Sequence, residues 1–255
     1  MAVNKKAVKI TSIEKLSMDV YSMWVTDLGI VFDAMPGQFF SLYCKSENRL
    51  LPRPISICEI DKENNSIRFV YRVVGNGTKE FEHLKVGDMI TVMGPLGNGF
   101  TLKESKSILI GGGIGIPPML ELAKQLRGEL QIVLGYRDNN LFLAEEFLKY
   151  GQVYIATEDG SNGTKGNVID ALIVNQISGD MIYACGPTPM LKGVKSYAAA
   201  HKITTQLSLE EKMACGIGAC LACVCKSKEV DPHTHVNNKR ICKEGPVFFA
   251  EEIEL

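Results

Sequence analysis

"SILIGGGIGIPPMLELAKQL", residues 107–126, contains a short apolar run, three consecutive glycines and two adjacent prolines. The apolar run reads as a buried strand that ends in glycine. Pro117 and Pro118 then open a helix, the position where proline's fixed φ and missing N–H cost least. Beyond it the same alternation continues. Strands are expected at "LQIVLGY" (130–136), "VYIATED" (153–159), "MIYACG" (181–186) and "TTQLSL" (204–209). Helices are expected at "LAEEFLKY" (143–150), "NVIDALIVNQ" (167–176) and "TPMLKGVKSYAAAH" (188–201). Strands alternating with helices imply a parallel sheet covered on both faces.

N-terminal to this unit the rhythm is different. "AVKITSI", "DVYSMWV", "QFFSLYC", "RPISICEI", "SIRFVYRVV" and "MITVMG" are short runs rich in β-branched and aromatic residues, separated by "PG", "KENN", "GNG" and "VGD". Such closely spaced strands predict a small antiparallel barrel. C-terminal to the α/β unit, residues 208–255 carry little periodicity. The expected organisation is therefore a β-barrel over 1–100, an α/β domain over 101–207 and a separate segment over 208–255.

Composition bounds the function. Hydrophobic residues make up 45% of the 255 and charged residues 22%, with a formal net charge of −1. That balance gives no reason to expect nucleic acid or an anionic membrane as partner. No apolar run approaches the roughly 20 residues of a membrane span. The start, "MAVNKKAVKITSI", passes straight into alternation without the apolar core of a signal peptide, so a cytoplasmic setting is expected. There a cluster of thiols points to a metal site rather than to disulfides.

The chain has eight cysteines, of which four fall within "ACGIGACLACVC", 214–225. The spacing is Cys215-x4-Cys220-x2-Cys223, with Cys242 further on. C-x4-C-x2-C followed by a distant Cys is the plant-type [2Fe–2S] ligand pattern. Four thiolates must converge on two irons while the backbone offers N–H groups to sulfur. Gly216, Gly218, Ala219 and Ala222 are small enough to permit that approach. Structural zinc also accepts four thiolates but more often pairs two short knuckles. Cys225 is read as a spare thiol.

Two further stretches suggest binding. In "RPISI" (53–57), Arg53 can pair with a pyrophosphate, Pro54 keeps the strand extended, and Ser56 adds a hydroxyl donor. "VYRVVGNGTKEF" (70–81) is expected to be a strand followed by a glycine turn whose N–H groups, with Thr78, face a phosphate. In the α/β unit, "GGGIGIPPM" (111–119) follows a strand and opens a helix, where a dinucleotide pyrophosphate would meet free N–H groups. As a G-x-G-x-x-G fingerprint it fails, because position 116 is Ile.

"PGQFF", the R-x-x-S strand Arg53–Pro54–Ile55–Ser56, a G-G-x-G-x-x-P loop (Gly112, Gly113, Gly115, Pro118) and a late Cys185-Gly186-Pro187 together resemble the ferredoxin–NADP reductase superfamily. That resemblance implies FAD in the barrel, with Arg53 on its pyrophosphate and Ser56 near flavin N5. Val70, Tyr71, Arg72, Gly77 and Thr78 would line the rest. It puts Cys185 near the nicotinamide. "GYRDNN" (135–140) offers both Arg137 and Asp138, which leaves NAD against NADP open.

The order of parts, with "YACGPTPML", "EEKMACGIGACLACVCK" and "ICKEGPVF", further resembles the electron-transfer subunits of NAD-linked (type B) dihydroorotate dehydrogenases. The resemblance spans essentially the whole chain. It implies FAD and one [2Fe–2S] cluster, with NAD as co-substrate. It also implies a separate FMN-bearing catalytic subunit, in a heterotetramer of two of each, serving pyrimidine biosynthesis. No catalytic acid–base dyad is expected in this chain, and His83, His201, His233 and His235 are read as surface residues. A flavoprotein subunit of a related NAD(P)H:ferredoxin or sulfide oxidoreductase is the alternative; there an Asp is expected in place of Cys215.

Overall fold

The computed structural model describes residues 5–26, 33–230 and 235–255. His233 and the first four residues of the N-terminal stretch lie outside them. The six expected strands of the first part form β1 (Lys5–Lys15), β2 (Val20–Thr26), β3 (Phe39–Tyr43), β4 (Arg53–Asp61), β5 (Ser66–Arg72) and β6 (Met89–Leu96). They close into an antiparallel barrel in the order β1-β2-β5-β4-β3-β6. Alternation decides which side chains fill it. Phe40 and Leu42 of β3, Ile57 of β4 and Phe69 and Tyr71 of β5 point inward. Phe40 and Phe69 meet edge to face with centroids 5.4 Å apart, and burying such a side chain stabilises by about 1.5–3 kcal/mol.

The turn expected after β5 is instead a short helix, α1 (Asn76–Phe81). Thr78 drives the difference. Its Oγ1 accepts from the N–H groups of Val74 (3.0 Å) and Gly75 (3.3 Å), fixing the two residues that lead into the helix in the manner of a capping box.

The α/β part contains β7 (Ser107–Gly112), α2 (Pro117–Gln125), β8 (Leu130–Tyr136), α3 (Ala144–Phe147), β9 (Gln152–Thr157), β10 (Thr164–Lys165), α4 (Val168–Val174), β11 (Met181–Cys185), α5 (Thr188–His201) and β12 (Thr204–Ser208). The glycines Gly113–Gly115 form a single 3-10 turn between β7 and α2. Alternate strand residues face opposite layers. Leu109, Ile132, Leu134 and Tyr183 pack with α2 and α3, whereas Ile108, Ile110, Val133 and Ile182 pack with α4 and α5. The helix expected over 143–150 shrinks to the single turn Ala144–Phe147, and the left-handed Leu143 (φ 65°) keeps it from starting one residue earlier.

The C-terminal segment is less independent than its sequence implies. It forms a hairpin, β13 (Val224–Lys226) with β14 (Asn238–Arg240), and β15 (Val247–Phe249), which pairs antiparallel with β12. The sheet order is thus β10-β9-β8-β7-β11-β12-β15, parallel except at that edge. Cys223, Ile241, Cys242 and Phe248 share one apolar core with Phe39, Met93 and Leu96, on the outer faces of β3 and β6. Among the described residues, no helix is long and apolar enough to cross a membrane.

Candidate functional site

A groove of about 800 Å³ runs along the outer face of β4 and opens toward the α/β part. Arg53, Pro54, Ile55, Ser56, Val70, Tyr71, Arg72 and Thr78 line it, joined by Ile114 and Pro118 from the glycine loop. Eight residues singled out from the barrel sequence therefore converge. Gly77 supports them from behind, since a Cβ there would fall 1.8 Å from Arg53 Nε. The Arg53 guanidinium lies across the bare α-carbon and donates to the Leu51 carbonyl. Arg72 Nε lies 3.1 Å from Asp19 Oδ2. Tyr71 contributes little side chain to the groove, because its ring is buried in the barrel and its hydroxyl donates to Phe81 O at 3.1 Å. An apolar groove with the Arg53 and Arg72 guanidiniums and the Ser56 hydroxyl on its lining fits a flavin with its phosphates.

The glycine loop sits where the sheet order reverses. β7 leads outward to β8 and β9 on one side and neighbours β11 and β12 on the other, and ligands of open α/β sheets bind at this switch point. Cys185, at the end of β11, pairs with Gly111 of β7. A Cβ on Gly115 would strike Cys185 O at 2.4 Å, so only glycine lets the loop close on Cys185-Gly186. A side chain on Gly112 would meet Met190 Sδ at 2.3 Å. Gly113 turns the chain with φ 53°. Cys185 is 1% exposed, and burial pushes its thiol well above its ordinary pKa. It is a neutral packing group rather than a nucleophile.

The cysteine loop wraps around its own sulfurs. Ile217 N (3.5 Å) and Ala219 N (3.3 Å) approach Cys215 Sγ. Gly218 N donates to Cys242 Sγ at 3.1 Å, and Cys242 N approaches Cys223 Sγ at 3.4 Å. Two left-handed glycines, Gly216 (φ 71°) and Gly218 (φ 81°), turn these N–H groups inward. The strongest thiol contacts form two pairs, and Cys242 also feels Cys215. Cys215 interacts with Cys220, and Cys242 with Cys223. Among the described residues, no three His, Cys, Asp or Glu side chains converge on a single-ion site. Four thiols in a C-x4-C-x2-C…C spacing, ringed by backbone N–H groups, fit a two-iron cluster.

Burial opposes ionisation of Cys215. The N–H groups of Ile217, Cys220 and Ala219 and the Cys220 thiol outweigh it and bring its pKa down to about 6. Burial and the neighbouring Cys223 push Cys242 up to about 12.

The cysteine loop and the groove share a barrel wall. Ser41 of β3 is fully buried, its Oγ has no hydrogen-bond partner among the described residues, and it lies 2.9 Å from where a Cβ on Gly216 would stand. On the next strand, Pro54 pairs with Ser41 and Ser56 with Phe39. Phe39 both lines the groove and packs in the core that holds Cys223 and Cys242.

Three family models match the chain in the order of its parts. They are an oxidoreductase FAD-binding domain on residues 7–100, an oxidoreductase NAD-binding domain on 109–196, and the iron–sulfur cluster binding domain of dihydroorotate dehydrogenase B on 210–254. A dihydroorotate dehydrogenase B (NAD(+)) electron transfer subunit from Fusobacterium nucleatum subsp. nucleatum is 42% identical over 254 residues, covering 94% of this chain and 95% of the relative. The subunit of the same description from Caldanaerobacter subterraneus subsp. tengcongensis is 41% identical over 253 residues, covering 98% of each.

The chain belongs to the dihydroorotate dehydrogenase B electron-transfer subunits.

As a member of that family it carries FAD-, NAD- and iron–sulfur-binding domains. A chain of the NADH-dependent reduced ferredoxin–NADP oxidoreductase, known for flavin-based electron bifurcation, superposes with a TM-score of 0.87 at 30% identity, covering 100% of this chain and 91% of that one. The flavohem-like FAD/NAD-binding domain of a Vibrio cholerae nitric oxide dioxygenase shares the fold, with a TM-score of 0.67 at 20% identity over 78% of this chain and 94% of its own.

Sequence reasoning missed the far wall of the groove in this family member. Leu209, Glu210, Glu211, Lys212 and Met213, which lead from β12 to the cluster loop, face the flavin strand. Glu210 is open to the groove yet hemmed in by protein, and the resulting desolvation raises its pKa. Its only sequence signal is adjacency to Cys215. The expected surface histidines His83, His201 and His235 are exposed. Cys225 lies on β13 opposite Lys239.

Proposed function

We propose that this chain, working in the cytoplasm, takes electrons from an FMN-bearing dihydroorotate dehydrogenase catalytic subunit and delivers them to NAD+, in an assembly of two of each subunit. The observation that carries the reading is the shared barrel wall, on which the groove strand β4 is hydrogen-bonded to β3, the strand against which the cysteine loop packs. When bound, FAD supplies the exchange between one-electron transfer from a [2Fe–2S] cluster and two-electron hydride chemistry at NAD+.

The residues divide that work. Arg53, backed by Gly77, holds the flavin pyrophosphate, and Ser56 offers its hydroxyl to the reacting edge of the ring. Pro54, Ile55, Val70, Tyr71, Arg72 and Thr78 shape the remaining surface. Gly112, Gly113 and Gly115 bring backbone to the nicotinamide dinucleotide at the start of α2, beside Cys185. Cys215, Cys220, Cys223 and Cys242 would hold the irons of the cluster. The barrel (1–100), the α/β domain (101–207) and the cluster segment (208–255) thus correspond to FAD, NAD and iron–sulfur.

Around exposed Cys220, Ile217, Leu221 and Val224 present apolar side chains to solvent. A catalytic partner that covers them would bring its own cofactor to the outer edge of the cluster. An anaerobic visible spectrum with flavin extraction and an iron and sulfide count tests the cofactor assignment. FAD, two irons and two sulfides per chain are expected. FMN, or zinc in place of iron, would contradict it.

A further inference from the structure

Among the described residues, the far end of β4 has one edge without a strand beside it. Its pairing with β3 ends at Ser56 opposite Phe39, followed by a single bond from Ile57 N to Gln38 O. On its other side it continues to pair with β5 as far as Asp61. Ile60 is 3% exposed, so its outward N–H and C=O cannot be left to water. Helix α2 satisfies both. Glu121 Oε2 accepts from Ile60 N at 2.7 Å, and Lys124 Nζ donates to Ile60 O at 2.8 Å. The two side chains, one turn apart on the helix, replace the missing rung of the ladder.

Glu121 is unusual for a helix carboxylate, at 2% exposed. Burial raises its pKa, an unfavourable situation that the sequence tolerates only with good partners. Gln125 Nε2 donates to its Oε1 at 2.6 Å, and Lys124 Nζ stands 3.7 Å from its Oε2 and 3.6 Å from Glu59 Oε1. An apolar residue of similar size would fill the space without this cost but would leave the Ile60 N–H unpaired.

Position gives the contact its meaning. Ile60 lies four residues beyond Ser56 on the same strand, and Glu121 lies three residues beyond Pro118, which lines the groove beside the glycine loop. The tie therefore joins the strand assigned to the flavin to the helix assigned to the nicotinamide dinucleotide, one helical turn from the latter's start. Hydride transfer depends steeply on that geometry, since a displacement of about 1 Å can cost about 100-fold in rate.

The packing does not depend on Glu121 alone. Val20, Cys58 and Val70 of the barrel share one apolar core with Met119 and Leu120. Arg68 of β5, 7% exposed, reaches Glu146 of α3 at 2.6 Å and Ser22 at 2.8 Å.

We infer that Glu121, assisted by Lys124, is a positioning residue that fixes the nicotinamide site against the flavin by hydrogen-bonding the backbone of Ile60. The inference rests on the functional reading above.

The test uses the full, cofactor-loaded chain under anaerobic stopped flow with NADH. Glu121→Ala should slow bleaching of the flavin by about 10- to 100-fold, while the concentration of NADH giving half the maximal rate changes by less than about threefold. Long-wavelength charge-transfer absorbance of the reduced, NAD+-bound chain should weaken in parallel. Glu121→Gln keeps an acceptor for Ile60 N, and its Gln125 partner can reverse its amide, so its rate should stay within about threefold of wild type. Lys124→Met, at a half-exposed position, should show a smaller loss of the same kind and covers the case of an unfolded Glu121→Ala. Reoxidation of photoreduced chain by ferricyanide, which needs no nicotinamide geometry, should be unchanged in all three.

A Glu121→Ala chain that melts at lower temperature but bleaches at the wild-type rate with full charge-transfer absorbance would overturn the inference. So would a Glu121→Gln chain as slow as Glu121→Ala. A wild-type chain that NADH does not reduce would contradict the functional reading itself, a result distinguishable from either of these.

Discussion

Replacing Cys215, Cys220, Cys223 or Cys242 with Ser is expected to remove the cluster or weaken it badly, as measured by iron and sulfide content and visible absorbance. Cys225→Ser should leave it intact, because that side chain belongs to the β13–β14 hairpin rather than to either thiol pair. A bleached Cys225 variant beside a normal Cys223 variant would overturn the ligand register. Arg53→Ala should weaken FAD binding by about 10- to 150-fold, the equivalent of a lost charge-assisted hydrogen bond of about 1.5–3 kcal/mol; a flavin titration of the apoprotein reads it. Ser56→Ala should instead slow reduction by NADH while FAD stays bound. These residues were legible because their signal is local, in a four-cysteine spacing and an R-x-x-S strand. Glu210 and Glu121 were not, since each acquires its surroundings from strands or helices far away in sequence. Nothing in "LEEKM" or "MLELAK" announces a groove wall or a backbone tie.

At the scale of elements, α1 is the support on which the Arg53 guanidinium rests. Gly77 has an ordinary backbone, so an alanine there is excluded by the guanidinium alone rather than by strain. Gly77→Ala should therefore displace Arg53 and weaken FAD binding about tenfold or more, with the melting temperature of the apoprotein nearly unchanged. Gly75→Ala, where an added Cβ meets nothing within 4 Å, is the control. Equal affinities in the two variants would show that Arg53 does not hold the flavin. Every expected barrel strand formed, because alternation over β-branched residues is a strong periodic signal. Helix α1 escaped detection because glycine at 75 and 77 reads as a turn, and Thr78 reverses that reading through its bonds to Val74 and Gly75. Strand β15 escaped for another reason. "VFF" is too short to carry a period, and only the free edge of β12 makes a strand of it.

Across the whole molecule the chain divides into FAD-, NAD- and iron–sulfur-binding domains. The two binding parts share a single apolar core, and the cluster segment is pinned to both through β15 and the outer face of β3. This arrangement moves electrons between fixed points and leaves substrate oxidation to a partner. Cluster-ligand variants should accordingly keep NADH-dependent reduction of dyes that draw electrons from the flavin, while losing coupling to the partner. The most direct test measures NADH formation from dihydroorotate and NAD+ by the cofactor-loaded chain, alone and with an FMN-bearing catalytic subunit added. The account predicts no turnover alone and NAD+-linked turnover once the partner is present. Dihydroorotate-dependent NADH formation by this chain alone would contradict it.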